Sequence, residues 1–365
     1  MSEEQRTGPA GRCGPQSKAK DLGASGLWQL SSSASYRATP DTLRTMYHGF
    51  CRMMESSKPV FALAFCCDRY MELPLLVAAT SAVKHVSIHF DVHVYLMLSS
   101  VDEKGIARIR KALDRVGRQY SLTVLPPPDD ALFHSFRPFY GTYATYYRLL
   151  LPDFIPDDRF LYLDTDTVTA TDLSGLATID MQGYAMGFVV QSVMGRALER
   201  KFFLELGNEK DDPAFNSGVM LVDSKQWKAV QCTPRLMEFC RKYPDALLAA
   251  DQTALNALFS KSCFHLDERL NVRLSTIVWD DLPDEGIYHF VGSPKPWDIF
   301  GNLFHPYARI WNEYRKSAGI GAWTLNPYLE PRAWLRLPRV LGAYLRPLRW
   351  LFARMRSGRN QDELS

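Results

Sequence analysis

Asp164 and Asp166 are the residues best placed to do chemistry. They stand two apart at the end of an apolar run, Leu161-Tyr162-Leu163-Asp164-Thr165-Asp166-Thr167-Val168. In an extended segment, residues i and i+2 project to the same side, so both carboxylates face one crevice. If the apolar run is a buried strand, that crevice lies outside the carboxyl edge of a sheet, where open α/β sheets bind ligands. Two carboxylates so close repel unless they share a proton or a cation lies between them. A hard divalent ion held through oxygen is the natural partner. Short Asp pairs also occur in plain turns, so the surroundings must decide.

Two reaction classes use such a pair. In nucleotide-sugar transfer, both Asp hold a metal against a diphosphate. In phosphatases of the haloacid-dehalogenase type, Asp164 of the same motif would be a nucleophile. That motif normally opens the core, whereas here three apparent strands precede it, and a motif is confirmed only by its context. A downstream Lys with a well-placed acidic pair is also missing; Asp280-Asp281 is the one weak candidate.

The elements that must position the pair can be read from periodicity. Val60-Phe61-Ala62-Leu63-Ala64-Phe65 is a continuous apolar run, the mark of a strand buried on both faces. A helical stretch from about Glu72 to Ala82 follows, then a strand from His89 to Leu98. Asp102 to Val116 reads as an amphipathic helix and Ser121 to Leu125 as a third strand. Further strands are expected at Phe160–Leu163, near Tyr184–Val190 and at Ser217–Val222, with helices near Pro234–Lys242 and Asp251–Ser260. Alternating strands and helices predict an α/β fold, a mixed, mostly parallel sheet flanked by helices.

Five blocks then occur in a telling order. They are Cys66-Cys67-Asp68-Arg69-Tyr70, Tyr143-Ala144-Thr145-Tyr146-Tyr147-Arg148-Leu149, the Asp-Thr-Asp block, Phe215-Asn216-Ser217-Gly218-Val219 with Ala250-Asp251-Gln252, and Tyr288-His289-Phe290-Val291-Gly292-Ser293-Pro294-Lys295-Pro296-Trp297. In this combination, over about residues 60–315, the chain resembles glycosyltransferase family 8. These are retaining, UDP-sugar-using enzymes that include bacterial lipopolysaccharide galactosyl- and glucosyltransferases and glycogenin. The resemblance implies a GT-A-type, Rossmann-like domain with nucleotide at the carboxyl edge of its sheet.

Roles follow residue by residue. The resemblance places Asp68 on the uracil or ribose, Tyr70 stacked on the base and the Cys66 backbone nearby. Thr165 joins the nucleotide-contacting set. It implies that Arg148 and Asn216 contact the donor sugar or its diphosphate and that Asp251 orients the sugar, with Gln252 on the β-face of the anomeric carbon. His289 is expected as the third metal ligand with Asp164 and Asp166, since Mn²⁺ (or Mg²⁺) accepts two carboxylates and an imidazole. Gly292 allows close backbone approach to a phosphate, and Lys295 puts positive charge where the leaving diphosphate gathers negative charge. Asp251, Gln252 and Lys295 form the expected catalytic group. Gln252 is a poor nucleophile, so double displacement through a carboxylate is disfavoured and front-face departure and attack is expected. At one point the chain departs from the pattern. Many relatives carry an acid just after the strand that precedes the Asn216 block, where this chain reads Gly187-Phe188-Val189-Val190-Gln191.

Composition bounds the partners. The chain has 365 residues, of which 46% are hydrophobic and 23% charged, a globular balance. The net charge of +3 is uneven, because residues 331–365 hold eight Arg against Asp362 and Glu363, and the rest is slightly acidic. A nucleic-acid partner would usually spread basic residues over the body, so none is expected. Seven cysteines without a CxxC pair fit reduced thiols in a cytoplasmic setting. Residues 1–40 lack apolar periodicity and read as disordered, without a secretory h-region; a short helix is expected over Thr42–Met54. Residues 41–315 then form the catalytic domain and 316–365 a basic, amphipathic C-terminal arm.

Within that arm, at about 100° per residue, Leu337, Leu341, Tyr344, Leu345, Leu348, Leu351, Phe352 and Met355 share one side. Most of its arginines lie opposite. Pro347 is expected to kink or split this helix. Two readings stay open: a helix lying on an anionic membrane surface, or one packed back on the body. The expected activity is metal-dependent transfer of glucose or galactose from a UDP-hexose to a cell-surface oligosaccharide or glycolipid, such as lipopolysaccharide core. It would run in the cytoplasm, peripheral on the inner face of the membrane. The alternatives are a self-glucosylating, glycogenin-like initiator, the phosphatase, or an inactive glycan-binding homologue.

Overall fold

The structure is a computed structural model that describes residues 58–275 and 282–321, and of the C-terminal arm residues 334–335, 337–338 and 340–345. These all fall in the second of two units, Lys58–Ser365. The expectations for residues 1–40 and for Thr42–Met54 lie outside the described residues.

Twelve strands are described: β1 (Val60–Asp68), β2 (Asp91–Ser99), β3 (Tyr120–Leu125), β4 (Arg159–Leu163), β5 (Thr167–Thr169), β6 (Met186–Phe188), β7 (Val190–Val193), β8 (Pro213–Phe215), β9 (Val219–Asp223), β10 (Phe264–His265), β11 (Val272–Leu274) and β12 (Ile287–Phe290). The longer helices are α1 (Glu72–Lys84), α2 (Glu103–Asp114), α3 (Cys232–Lys242), α4 (Asp251–Phe259) and α5 (Ala308–Ser317). The main sheet has seven strands in the order β10-β6-β9-β4-β1-β2-β3. Six share one direction, and β9 alone runs antiparallel to β4 and β6. The mixed, mostly parallel sheet expected from the sequence is therefore present.

β1 shows why the sheet holds. Its odd residues, Phe61, Leu63 and Phe65, face a core that includes Leu75, Val77 and Leu113 of α1 and α2. Its even residues, Ala62, Ala64 and Cys66, face a second core with Tyr146, Tyr147, Phe160 and Trp227. Alternation with both faces covered is what a continuous apolar run requires. Asp102 caps α2 by accepting from the Gly105 amide at 2.8 Å, which stops the helix from starting earlier.

Topology decides where a ligand sits. The chain moves outward through β1, β2 and β3, then returns to place β4 on the other side of β1. That reversal opens a crevice at the carboxyl ends of β1 and β4, where β1 ends at Asp68 and Asp164 follows β4.

The expected strand near Tyr184–Val190 is instead two short ones, β6 and β7, belonging to different sheets. In the arm, the described residues between Trp334 and Leu345 are helical. Val340, Ala343 and Tyr344 are buried, whereas Trp334, Leu341 and Leu345 are exposed. The Tyr344 hydroxyl donates to the Ile299 carbonyl at 3.1 Å. This part of the arm thus packs one edge of its stripe on the body and leaves the other outward. The rest of the stripe, and Pro347, lies outside the described residues. No helix among the described residues is long and apolar enough to cross a membrane.

Leu63, fully buried at the centre of β1, provides a test of this core. Leu63→Ala should cost about 2–5 kcal/mol, read as a lower urea midpoint; a loss under about 1 kcal/mol would contradict the packing described.

Candidate active site

The Asp pair is fixed by backbone on both sides. The Asp164 amide donates to the Gly218 carbonyl at 2.7 Å, and the Asp166 carbonyl accepts from the Phe290 amide at 2.9 Å. Thr167 closes the turn, its hydroxyl donating to the Asp164 carbonyl at 2.8 Å. β5 then leaves the main sheet to join β11 and β12 in the order β11-β12-β5. In the antiparallel register, Thr167 lies opposite His289. That pairing carries an imidazole from more than a hundred residues downstream to the Asp turn.

Each side chain of this trio offers one atom inward. Asp164 Oδ1 accepts from Arg148 Nη2 at 2.8 Å and from the Tyr162 hydroxyl at 2.8 Å, leaving Oδ2 toward His289. Asp166 Oδ2 accepts from Lys295 at 2.6 Å, leaving Oδ1 at 3.1 Å from His289 Nε2. Asp164 Oδ2 lies 3.8 Å from the same nitrogen. All three candidate ligand atoms lie within 4.8 Å of one another, a spread that suits a single small cation with oxygen and imidazole ligands. Gly218 keeps the space open, since a Cβ there would come within 2.7 Å of Asp164 Oδ2 and overlap the imidazole.

Charge balance controls the neighbourhood. Burial pushes the Asp166 carboxyl up, but Lys295 and then His289 outweigh it and hold the group well below the usual carboxylate range. Arg148 is buried under the site, with its guanidinium 4.5 Å from the centre of the Tyr162 ring. Burial opposes its charge, yet Asp164 and Asp251 hold it firmly protonated. Its Nε lies 3.2 Å from Asp251 Oδ2. Asp251 also accepts from Thr145 Oγ1 and, at 3.0 Å, from Ser217 Oγ. Even so, burial raises the Asp251 pKa on balance, because Arg148 is shared with Asp164, whose negative charge adds to the effect of burial.

The structure thus brings together Asp164, Asp166, His289, Lys295, Arg148, Asp251, Asn216 and Gln252. Arg148 lies on a short 3-10 helix, Ala144–Leu149, and is a buried hub, not a surface helix residue. Asn216 and Gly218 sit in the turn between β8 and β9. Asn216 Nδ2 donates to Gln252 Oε1 at 2.9 Å. Ala250, just before α4, adopts φ +53° and ψ −126°, a region costing about 1–3 kcal/mol for a residue with a Cβ. Asp68 uses Oδ1 to accept from the Tyr70 and Met71 amides at 2.9 and 3.2 Å; Oδ2 has no partner among the described residues. Tyr70 is exposed, with the Arg69 guanidinium over its ring. Cys66 lies within β1, where burial pushes its thiol up, so it offers backbone alone. Thr165 is buried in the Asp turn, and Gly292 has φ +76° with open space around it.

Sequence reasoning assigned no role to Thr145, Tyr162, Ser217 or Asn271. The first three lie inside quoted blocks or runs. Asn271 has no local signal, and its place follows only from the β11–β12 pairing.

Residues 62–300 match the family model described as glycosyl transferase family 8. General stress protein A of Bacillus subtilis is 30% identical over 193 residues, covering 48% of this chain and 65% of that protein. Glycosyltransferase GlyF of Streptococcus pneumoniae is 25% identical over 253 residues, covering 66% of this chain and 58% of that protein. The chain therefore spans less than two thirds of either relative. In fold it is similar to the galactosyltransferase LgtC, solved in complex with donor and acceptor sugar analogs. The TM-score is 0.59 at 22% identity, covering 71% of this chain and 95% of that one. Glycosyltransferase GlyE of Streptococcus pneumoniae gives a TM-score of 0.54 at 23% identity, covering 70% and 60%.

The raised Asp251 pKa carries a stability consequence. Its folded value lies above that of an ordinary Asp carboxyl, so the folded state binds the extra proton and stability falls as pH rises from the ordinary carboxylate range through the raised value. Asp251→Asn should lack this decline while losing turnover. Urea denaturation from pH 4 to pH 7 checks it: the variant's stability relative to wild type should improve with rising pH, and a constant difference would refute the assignment.

Proposed function

The chain belongs to glycosyltransferase family 8, and on that premise we propose that it transfers glucose or galactose from a UDP-hexose to a glycan acceptor with retention of anomeric configuration. The observation that carries this reading is the convergence of Asp164, Asp166 and His289 on one point. Asp164 Oδ2, Asp166 Oδ1 and His289 Nε2 would hold Mn²⁺ (or Mg²⁺), which when bound neutralises the donor diphosphate. Lys295, beside Asp166, adds positive charge at the same place. Asp68, Tyr70 and the Cys66 backbone line the carboxyl end of β1, where the nucleotide would lie.

The surroundings of Gln252 favour a front-face path. Its Oε1 accepts from Asn216 Nδ2 and, at 3.3 Å, from the Ser217 amide, so its lone pairs are engaged. Asp251 is buried, and its carboxylate is engaged by Thr145, Ser217 and Arg148. Without a free nucleophile, the C1–O bond to UDP breaks as the acceptor hydroxyl bonds C1 on the same face. The acceptor proton then passes to the departing phosphate oxygen. Asn216 and the Gln252 amide NH₂ orient the sugar.

The acceptor reading, a cell-surface oligosaccharide or glycolipid such as lipopolysaccharide core, draws support from the arm. Trp334, Leu341 and Leu345 share one helical side and stay exposed. Phe304, whose ring lies 5.2 Å from Tyr344, is itself exposed, as is Leu303. The arginines of the arm add about 1 kcal/mol each near an anionic leaflet. Such a surface would hold the enzyme at the inner face of the membrane, close to a lipid-linked acceptor.

Thermal shift with Mn²⁺ and UDP-Glc, UDP-Gal, UDP-GlcNAc or GDP-Man tests the donor. UDP-hexoses should raise the melting temperature through binding to the folded state, and Asp166→Ala or EDTA should remove both that shift and UDP-sugar hydrolysis. A preference for GDP-Man would refute the donor. A Trp334→Glu, Leu341→Glu, Leu345→Glu variant should keep activity on a soluble acceptor yet no longer sediment with phosphatidylglycerol vesicles; unchanged sedimentation would refute the membrane role.

A further inference from the structure

We propose that Asn271 is a positioning residue that sets the tautomer of His289 and joins it through Asn216 to Gln252 in one polarised chain of amides. The proposal rests on the reading that Asp164, Asp166 and His289 hold a divalent cation.

Two backbone N–H groups fix the direction of the chain. The Ser217 amide donates to Gln252 Oε1 at 3.3 Å, and a backbone N–H has no other role open to it. Oε1 is therefore the acceptor end, and Asn216 Nδ2 donates to it at 2.9 Å. The Gly218 amide donates to Asn216 Oδ1 at 3.0 Å, which orients the Asn216 amide the same way. Asn271 must then turn Nδ2 toward Asn216 Oδ1, at 3.1 Å. Its remaining atom, Oδ1, lies 3.1 Å from His289 Nδ1. An amide oxygen only accepts, so Nδ1 carries a hydrogen, and in the neutral imidazole Nε2 is then the nitrogen whose lone pair is open to a cation. Nε2 is the nitrogen that faces Asp164 and Asp166.

Asn271 is itself held. It is buried at the end of a short 3-10 helix, Glu268–Asn271, just before β11. Its carbonyl accepts from Gln191 Nε2 at 2.7 Å. Gln191 thereby secures the backbone of the residue that orients the imidazole. Groups hydrogen-bonded behind a ligating His fix its ring and tautomer, and losing them typically costs about 10–100-fold in metal affinity or activity.

Two variants of the full chain separate the ends of the network. Asn271→Leu removes both hydrogen bonds. Asn271→Asp keeps an acceptor for His289 Nδ1 but has no donor for Asn216, so the amide polarity reverses or breaks. Mn²⁺ affinity is read by isothermal titration calorimetry and kcat by UDP-sugar hydrolysis at saturating Mn²⁺. A cooperative melt confirms folding. N271L should bind Mn²⁺ about 10–100-fold more weakly. N271D should bind it within about threefold of wild type, yet lose about tenfold or more in kcat. Wild-type affinity in N271L, or wild-type kcat in N271D, overturns the proposal. Should N271L fail to fold, N271D alone decides. A wild type that binds no Mn²⁺ fails differently: it removes the cation reading, and the role of Asn271 with it.

Discussion

The site depends on holding three carboxylates close together around partly buried ground. Asp164, Asp166 and Asp251 lie around one crevice, and Coulomb repulsion among them grows as solvent leaves. Arg148 answers it from beneath, spanning Asp164 and Asp251, while Lys295 answers it from the side through Asp166. A guanidinium suits the lower position because its donors fan out in a plane and reach two acids and two backbone carbonyls at once. An ammonium suits the upper position because it is compact. The architecture around them serves to hold five charges at fixed separations.

That service explains the two-sheet construction. A parallel sheet alone puts Asp68 and the Asp164–Asp166 pair at one edge but brings no imidazole to that pair. The chain therefore leaves the main sheet after Asp166 and pairs β5 with β12. Antiparallel register is a strict ruler, and a slip of one residue would turn His289 away from the Asp pair. The Gly218 carbonyl and the Phe290 amide clamp the turn from opposite sides, so both sheets contribute to one metal-sized space.

Much of this was legible in the sequence. The apolar run of β1, the amphipathic α2 and the Asp pair after β4 announce themselves through periodicity and position. Asp164, Asp166, His289 and Lys295 could be named from block order, and the structure gathers all four. Other features left little local trace. β5, β11 and β12 are short and take their form from each other. The burial of Arg148 beneath the Asp pair left no local trace, because its acidic partners Asp164 and Asp251 come from distant parts of the chain. Asn271 is polar, isolated and unremarkable in sequence, and its partners lie eighteen and fifty-five residues away along the chain. The arm was legible as amphipathic, but a stripe of leucines does not say which edge meets protein.

Ala250 bears a backbone cost at the edge of this crevice. Its backbone sits where glycine would rest at ease, yet a methyl group occupies the spot, walled in on all sides. Glycine there would relax the chain and also free the two side chains that follow to wander. Alanine forgoes that relaxation and in exchange narrows the conformations open to the first turn of α4.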